Sequence, residues 1–166
     1  MIAVLDSSAR SSVTQTPARS KPPHTLIVDD DSTILNLEAK ILECDGHRVE
    51  TAENGEAAWQ ALQGGNYDLL VTDNLMPGIS GLALVRQLRI ASITLPVVMV
   101  SGTLANLDTA TLTHDPWSRI HGFVGKPFTI AQLLSAVHRA LNSEAVGIVS
   151  DHLARLSSYQ PRFDIR

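Results

Sequence analysis

The stretch Leu26-Ile27-Val28-Asp29-Asp30-Asp31 decides the reading of this chain: three apolar residues stop abruptly at three carboxylates. A short apolar run without polar alternation is the pattern of a strand buried on both faces, as in a parallel sheet covered by helices. Asp31 or Ser32 then offers a side-chain oxygen to cap a helix. In that helix Ile34, Leu37, Ile41 and Leu42 recur at helical spacing until Gly46 closes it.

The same unit repeats outward. His47 to Ala52 reads as a second strand, Glu53-Asn54-Gly55 as a turn, and Glu56 to Leu62 as a helix stopped by Gly64-Gly65. A third apolar strand, Tyr67 to Thr72, ends at Asp73, and a loop with Pro77 and Gly78 leads into a helix over Gly81 to Ile90. Leu95 to Val100 is a fourth strand ending at Ser101-Gly102. Gly122-Phe123-Val124-Gly125 is a short fifth ending at Lys126-Pro127, a candidate cis peptide. Thr129 caps a last helix carrying Leu133, Leu134, Val137 and Leu141. Five apolar strands alternating with helices predict an α/β fold: a doubly wound, five-stranded parallel sheet with helices on both faces and right-handed crossovers.

The predicted domain spans residues 24 to 142. Residues 1 to 23, rich in Ser, Thr, Ala and Pro, read as a flexible leader, and residues 143 to 166 as a tail in which Ala145 to Leu156 has the spacing of one amphipathic helix. Such a helix would dock on a partner, on a second copy of the chain or on the domain itself. The net charge of -4 and the lack of any Lys/Arg run argue against direct nucleic-acid binding. Cys44 is the single cysteine, so there is no internal disulfide or thiolate cluster; it reads as a small buried hydrophobe of a cytoplasmic protein. No apolar stretch approaches the roughly 20 residues that span a bilayer, which excludes a membrane helix. The histidines His24, His47, His114, His121, His138 and His152 are scattered without metal-ligand spacing.

In sheets of this class ligands sit outside the carboxyl ends of the strands. There the sequence places Asp29 and Asp30 after the first strand, Asp73 after the third, Ser101 after the fourth and Lys126 after the fifth. Carboxylates gathered at one edge repel each other and call for a hard divalent cation, Mg²⁺ being the natural one. With such a cation neutralising the oxygens of a phosphoryl group, one carboxylate can act as nucleophile and form an acyl phosphate. Lys126 offers a point charge and Ser101 a hydroxyl to the phosphoryl oxygens, while Gly102 leaves the group room.

These residues carry a family resemblance. Leu26 to Asp31, then Asp73-Asn74-Leu75-Met76-Pro77-Gly78 with Gly81, then Val100-Ser101-Gly102, then Gly122 to Phe128 resemble the receiver domain of two-component response regulators. The likeness is to the single-domain, chemotaxis-regulator type. It implies a flavodoxin-like sheet and a phosphoprotein of a phosphorelay, whose only chemistry is its own phosphorylation and dephosphorylation. It further implies that Asp73 takes the phosphoryl group from a sensor histidine kinase or a histidine phosphotransfer protein. Asp30 and Asp73 would then bind Mg²⁺ directly, Leu75 through its backbone carbonyl and Asp29 through a water. Ser101 and Phe123 would form the switch read by a downstream protein target. Phe123 stands where the family often has Tyr, Ser80 where it often has Asp, and the stretch between Ser101 and Lys126 is a little long for the family.

Two other readings compete. Asp29-x-Asp31-x-Thr33 after an apolar strand resembles the nucleophile motif of haloacid-dehalogenase-like phosphohydrolases, with Asp29 as nucleophile. That reading needs a further acidic cluster beyond Lys126, where only Glu144, Asp151 and Asp164 remain, and leaves the Asp73 motif without a role. A phosphorylation-independent pseudo-receiver would keep the fold, yet here every expected active-site residue is present.

Overall fold

The computed structural model describes residues 21–102 and 120–142. Residues 1–20 of the leader, the stretch 103–119 and the whole tail, with its candidate helix Ala145 to Leu156, fall outside them. The elements are β1 (His24–Val28), α1 (Ser32–Cys44), β2 (Arg48–Ala52), α2 (Gly55–Gly64), β3 (Leu69–Asp73), α3 (Gly81–Ile90), β4 (Val97–Ser101) and β5 (Gly122–Gly125). A last helix, α4, runs over 130–142. The five strands are parallel in the order β2-β1-β3-β4-β5, so the fold is the predicted doubly wound, flavodoxin-like sheet.

Strand periodicity builds the two halves of the core. Leu26, Val28, Leu70, Val97 and Met99 face one way and pack with Leu62 of α2 and Leu84 and Leu88 of α3. Ile27, Leu69, Val71, Val98 and Val100 face the other way and pack with Leu35 and Leu42 of α1 and Leu133 and Val137 of α4. Because side chains alternate along a strand, adjacent residues serve opposite layers, which is why these strands are apolar throughout.

The caps explain where the helices begin. Asp31 accepts hydrogen bonds from Thr33 N–H at 2.8 Å and Ile34 N–H at 3.3 Å; these two bonds hold its exposed carboxyl below the ordinary value. Asn54 caps α2 and Ser80 caps α3, accepting from Ala57 and Ala83. Before α4, Thr129 and Gln132 form a reciprocal capping box: Gln132 N–H donates to Thr129 Oγ1, and Thr129 N–H to Gln132 Oε1.

Two expectations need correction. The inward face of α1 is Leu35, Glu38, Ile41 and Leu42, whereas Leu37 is 49% exposed. Leu37 sits about 100° around the helix from Glu38, and so lies outside the stripe that meets the sheet. Cys44 is exposed, not buried. It lies seven residues after Leu37 and so shares its outward side.

Strand pairing fixes which residues meet. Val28 is level with Thr72, Asp73 with Val100, and Ser101 with Gly125. The residues that follow β1 and those that end β3, β4 and β5 therefore share one edge. At the opposite edge, His24, Glu50 and Tyr67 form a polar knot: Tyr67 donates to Glu50 at 2.5 Å, and the His24 and Tyr67 rings lie 4.5 Å apart.

Candidate functional site

At the carboxyl edge Asp29 is 1% exposed and Asp73 4%, two carboxylates almost wholly removed from water. Lys126 holds both: its Nζ is 2.5 Å from Asp29 Oδ2 and 3.1 Å from Asp73 Oδ1. Burial alone would lower the pKa of this ammonium. The hydrogen bond to Asp29 and the charge of Asp73 outweigh it and raise the value above the ordinary one.

Backbone donors fix the remaining carboxylate oxygens. Asp31 N–H donates to Asp29 Oδ1 at 2.9 Å, and Leu75 N–H donates to Asp73 Oδ2 at 2.8 Å. Each buried carboxylate thus has one oxygen on an amide and the other on the ammonium, the satisfaction that buried charge requires.

The predicted residues converge only in part. Asp29, Asp73 and Lys126 are brought into contact, and Ser101 ends β4 fully buried, its backbone carbonyl accepting from Lys126 N–H at 2.9 Å. Asp30 is exposed beside them. Leu75 turns its side chain outward, 58% exposed. Among the described residues nothing lies within 4 Å of where a methyl group at Gly102 would stand. Phe123 is half-buried, level with Met99 and packed against the core layer of α2 and α3.

Among the described residues no three His, Cys, Asp or Glu side chains are drawn together as a closed metal cage. Lys126 occupies the electrostatic place between Asp29 and Asp73 that a cation would share. Among the described residues the site offers the hard carboxylate oxygens of Asp29 and Asp73, donors that suit Mg²⁺ rather than a thiolate- or imidazole-seeking metal.

Two buried polar residues escaped the sequence reading. Asn74 is 9% exposed and ties β3 to α3: its carbonyl accepts from Gly81 N–H at 3.3 Å and its Oδ1 from Leu82 N–H at 3.2 Å. The glycine at position 81 follows from this closeness, because a Cβ there would stand 2.2 Å from the carbonyl oxygen of Asp73. Glu38 is the other, a carboxyl buried on the inner face of α1, 1% exposed. A lone Asn in a loop and a Glu within an amphipathic helix carry no signal that separates them from surface residues.

A parallel five-stranded sheet with two buried carboxylates and a lysine at its carboxyl edge is the frame of a receiver. The chain belongs to the response regulator receiver domain family, which matches residues 25–138. It is 32% identical over 118 residues to the uncharacterized transcriptional regulatory protein YkoG of Bacillus subtilis (strain 168), a match covering 71% of this chain and 50% of that protein. It is 38% identical over 91 residues to the gliding motility regulatory protein of Myxococcus xanthus, covering 54% of this chain and 12% of that protein. The chain thus spans half or less of the length of these relatives.

Among solved structures, a response regulator receiver domain protein from Clostridium thermocellum matches with a TM-score of 0.66 and 28% identity, over 75% of this chain and 98% of that one. The chemotaxis response regulator CheY4 of Vibrio cholerae matches with a TM-score of 0.64 and 25% identity, over 72% and 99%. The chain is therefore a receiver domain of the two-component response-regulator type. No helix among the described residues is long and apolar enough to cross a membrane.

Proposed function

We propose that this receiver accepts a phosphoryl group on Asp73 in a Mg²⁺-dependent reaction. The observation that carries the reading is the placement of Asp73: at the end of the central strand, buried, and 3.1 Å from Lys126 Nζ. A carboxylate oxygen of Asp73 attacks the phosphorus of a phosphohistidine, the phosphorus–nitrogen bond breaks, and the leaving imidazole nitrogen takes up a proton from water. Asp30, Asp73 and the Leu75 carbonyl would hold Mg²⁺, with Asp29 acting through water. Bound there, the ion supplies charge neutralisation for the phosphoryl oxygens.

The chain's own residues do the positioning. Leu75 N–H orients the Asp73 carboxylate, and Asn74 pins the strand end to α3. Lys126 moves from the two carboxylates toward the new phosphoryl oxygens, and the Ser101 hydroxyl donates to another of them. Gly102 leaves space for the group, and Phe123 turns as the end of β4 shifts. The donor is a sensor histidine kinase or histidine phosphotransfer protein, the setting is the cytoplasm, and the readout is a downstream protein or a second copy of the chain. Nucleic acid and membrane are not direct partners. Beyond its own phosphorylation and dephosphorylation the domain has no enzyme activity.

Acetyl phosphate or phosphoramidate with Mg²⁺ should add one phosphoryl mass to the intact protein, and EDTA or Asp73→Asn should abolish it. Labelling that persists in Asp73→Asn but disappears in Asp29→Asn would overturn this assignment in favour of Asp29 as nucleophile.

A further inference from the structure

Glu38 has no part in the phosphoryl chemistry just described, yet it is the most thoroughly buried carboxyl of α1. Its neighbours at helical spacing, Leu35, Ile41 and Leu42, belong to the apolar layer between α1, α4 and the sheet. Its residue is 1% exposed, and its Oε1 is buried without a hydrogen-bond partner. An ionised carboxylate in such a place costs several kcal/mol, so the neutral acid is the favoured form.

Among the described residues, the charged groups that act on Glu38 are those of the phosphoacceptor pocket. Asp29 after β1 and Asp73 at the end of β3 oppose its ionisation, and Lys126 after β5 favours it. On its own helix Lys40 and Glu43 are exposed and pair with each other at 3.4 Å. On α4, His138 is engaged by Asp45 at 2.7 Å. Burial first, and then the charge of Asp29, push the Glu38 carboxyl up to about 8, inside the range where a cell's pH can address it.

We propose that Glu38 is a buried proton-exchanging acid whose ionisation follows the net charge of the Asp29–Asp73–Lys126 pocket, so that positive charge arriving there expels its proton. The part that concerns a divalent cation rests on reading the pocket as the Mg²⁺ site; the coupling to Asp29 and Lys126 does not. Linkage makes the effect reciprocal: a cation that releases the proton of Glu38 binds more tightly as pH rises toward 8.

The test is a pH titration of the Glu38 side-chain carboxyl by carbon NMR on glutamate-labelled protein, the resonance being assigned by its loss in Glu38→Gln. The expected midpoint is near 8 without metal. It should fall by about one pH unit in Asp29→Asn, rise in Lys126→Met, and fall on adding Mg²⁺ to the unmodified protein. A carboxyl that titrates with the exposed glutamates near pH 4.3, or one that titrates high but is unmoved by both substitutions, overturns the proposal. If both substitutions move it and Mg²⁺ does not, the coupling stands and the cation reading of the pocket is what fails.

Discussion

Lys126 Nζ lies 2.5 Å from Asp29 Oδ2, a contact that closes 97 residues of chain. It joins the first strand to the loop after the last, across the strand that carries Asp73. The ammonium is 22% exposed while Asp29 is 1% exposed, so solvent can reach the lysine but hardly the carboxylate. A pair of this kind makes the buried acid dependent on its partner.

Lys126→Ala therefore removes the only side-chain cation in contact with Asp29 and Asp73 among the described residues. The metal-free variant should lose about 2 to 3 kcal/mol in urea unfolding, less than the roughly 3 to 5 kcal/mol for breaking a fully buried pair because water reaches this one. Mg²⁺ should restore part of that loss, and the variant should bind the ion at least as tightly as the parent. Isothermal titration with Mg²⁺ checks the second point, and much weaker binding would contradict the role given to Lys126.

Gly81→Ala tests the seam between β3 and α3. The added methyl would stand 2.2 Å from the Asp73 carbonyl oxygen and 3.1 Å from Asn74 Cα, both backbone atoms that cannot swing aside. Overpacking of this kind costs about 1 to 3 kcal/mol. The shift must also pass into Asp73, so acetyl phosphate labelling should slow more than the stability loss alone explains.

How much of this was legible in the sequence follows from what each residue type announces. Apolar runs that halt at Asp29, Asp73 and Ser101 signal both a strand and its end, and the observed order β2-β1-β3-β4-β5 agrees with the predicted flavodoxin-like sheet. The face of α1 was less legible. Ile34-x-x-Leu37-x-x-x-Ile41 and Leu35-x-x-Glu38-x-x-Ile41 are adjacent stripes sharing Ile41, and hydrophobicity favours the first, whereas packing chooses the second. A buried Glu38 contradicts the rule by which core positions are read, since charged residues are rarely wholly buried. Asn74 was hidden for another reason: its role is a bond to Leu82, eight residues on, that only the folded turn brings close.

Leu75→Ala should be nearly silent for the fold and for cation binding. Its side chain is 58% exposed, and what it gives Asp73 is a backbone N–H at 2.8 Å that alanine keeps. A stability change within about 0.5 kcal/mol is expected, as for surface substitutions in general. Mg²⁺ affinity reduced tenfold would show that the leucine side chain, and not the backbone, shapes the metal position.

Glu38 gives the chain a pH dependence of definite sign. Its carboxyl has an ordinary value of 4.5 and is raised to about 8 in the folded protein. Between those two values the unfolded chain releases the proton while the folded one keeps it, so the folded state binds more protons. Stability from this group is then complete below pH 4.5, falls as pH rises, and is gone above about 8. At about 1.4 kcal/mol per pH unit the full span corresponds to roughly 5 kcal/mol. Glu38→Gln keeps the shape of the side chain and cannot ionise, so its stability should lack this slope. Urea unfolding of both proteins without metal, from about pH 5 to pH 9, reads the difference directly. The parent should lose stability relative to the glutamine variant at each step up to pH 8 and run parallel to it beyond. Parallel curves over the whole range would mean that Glu38 is already ionised at pH 5, hydrated or paired in solution despite its burial.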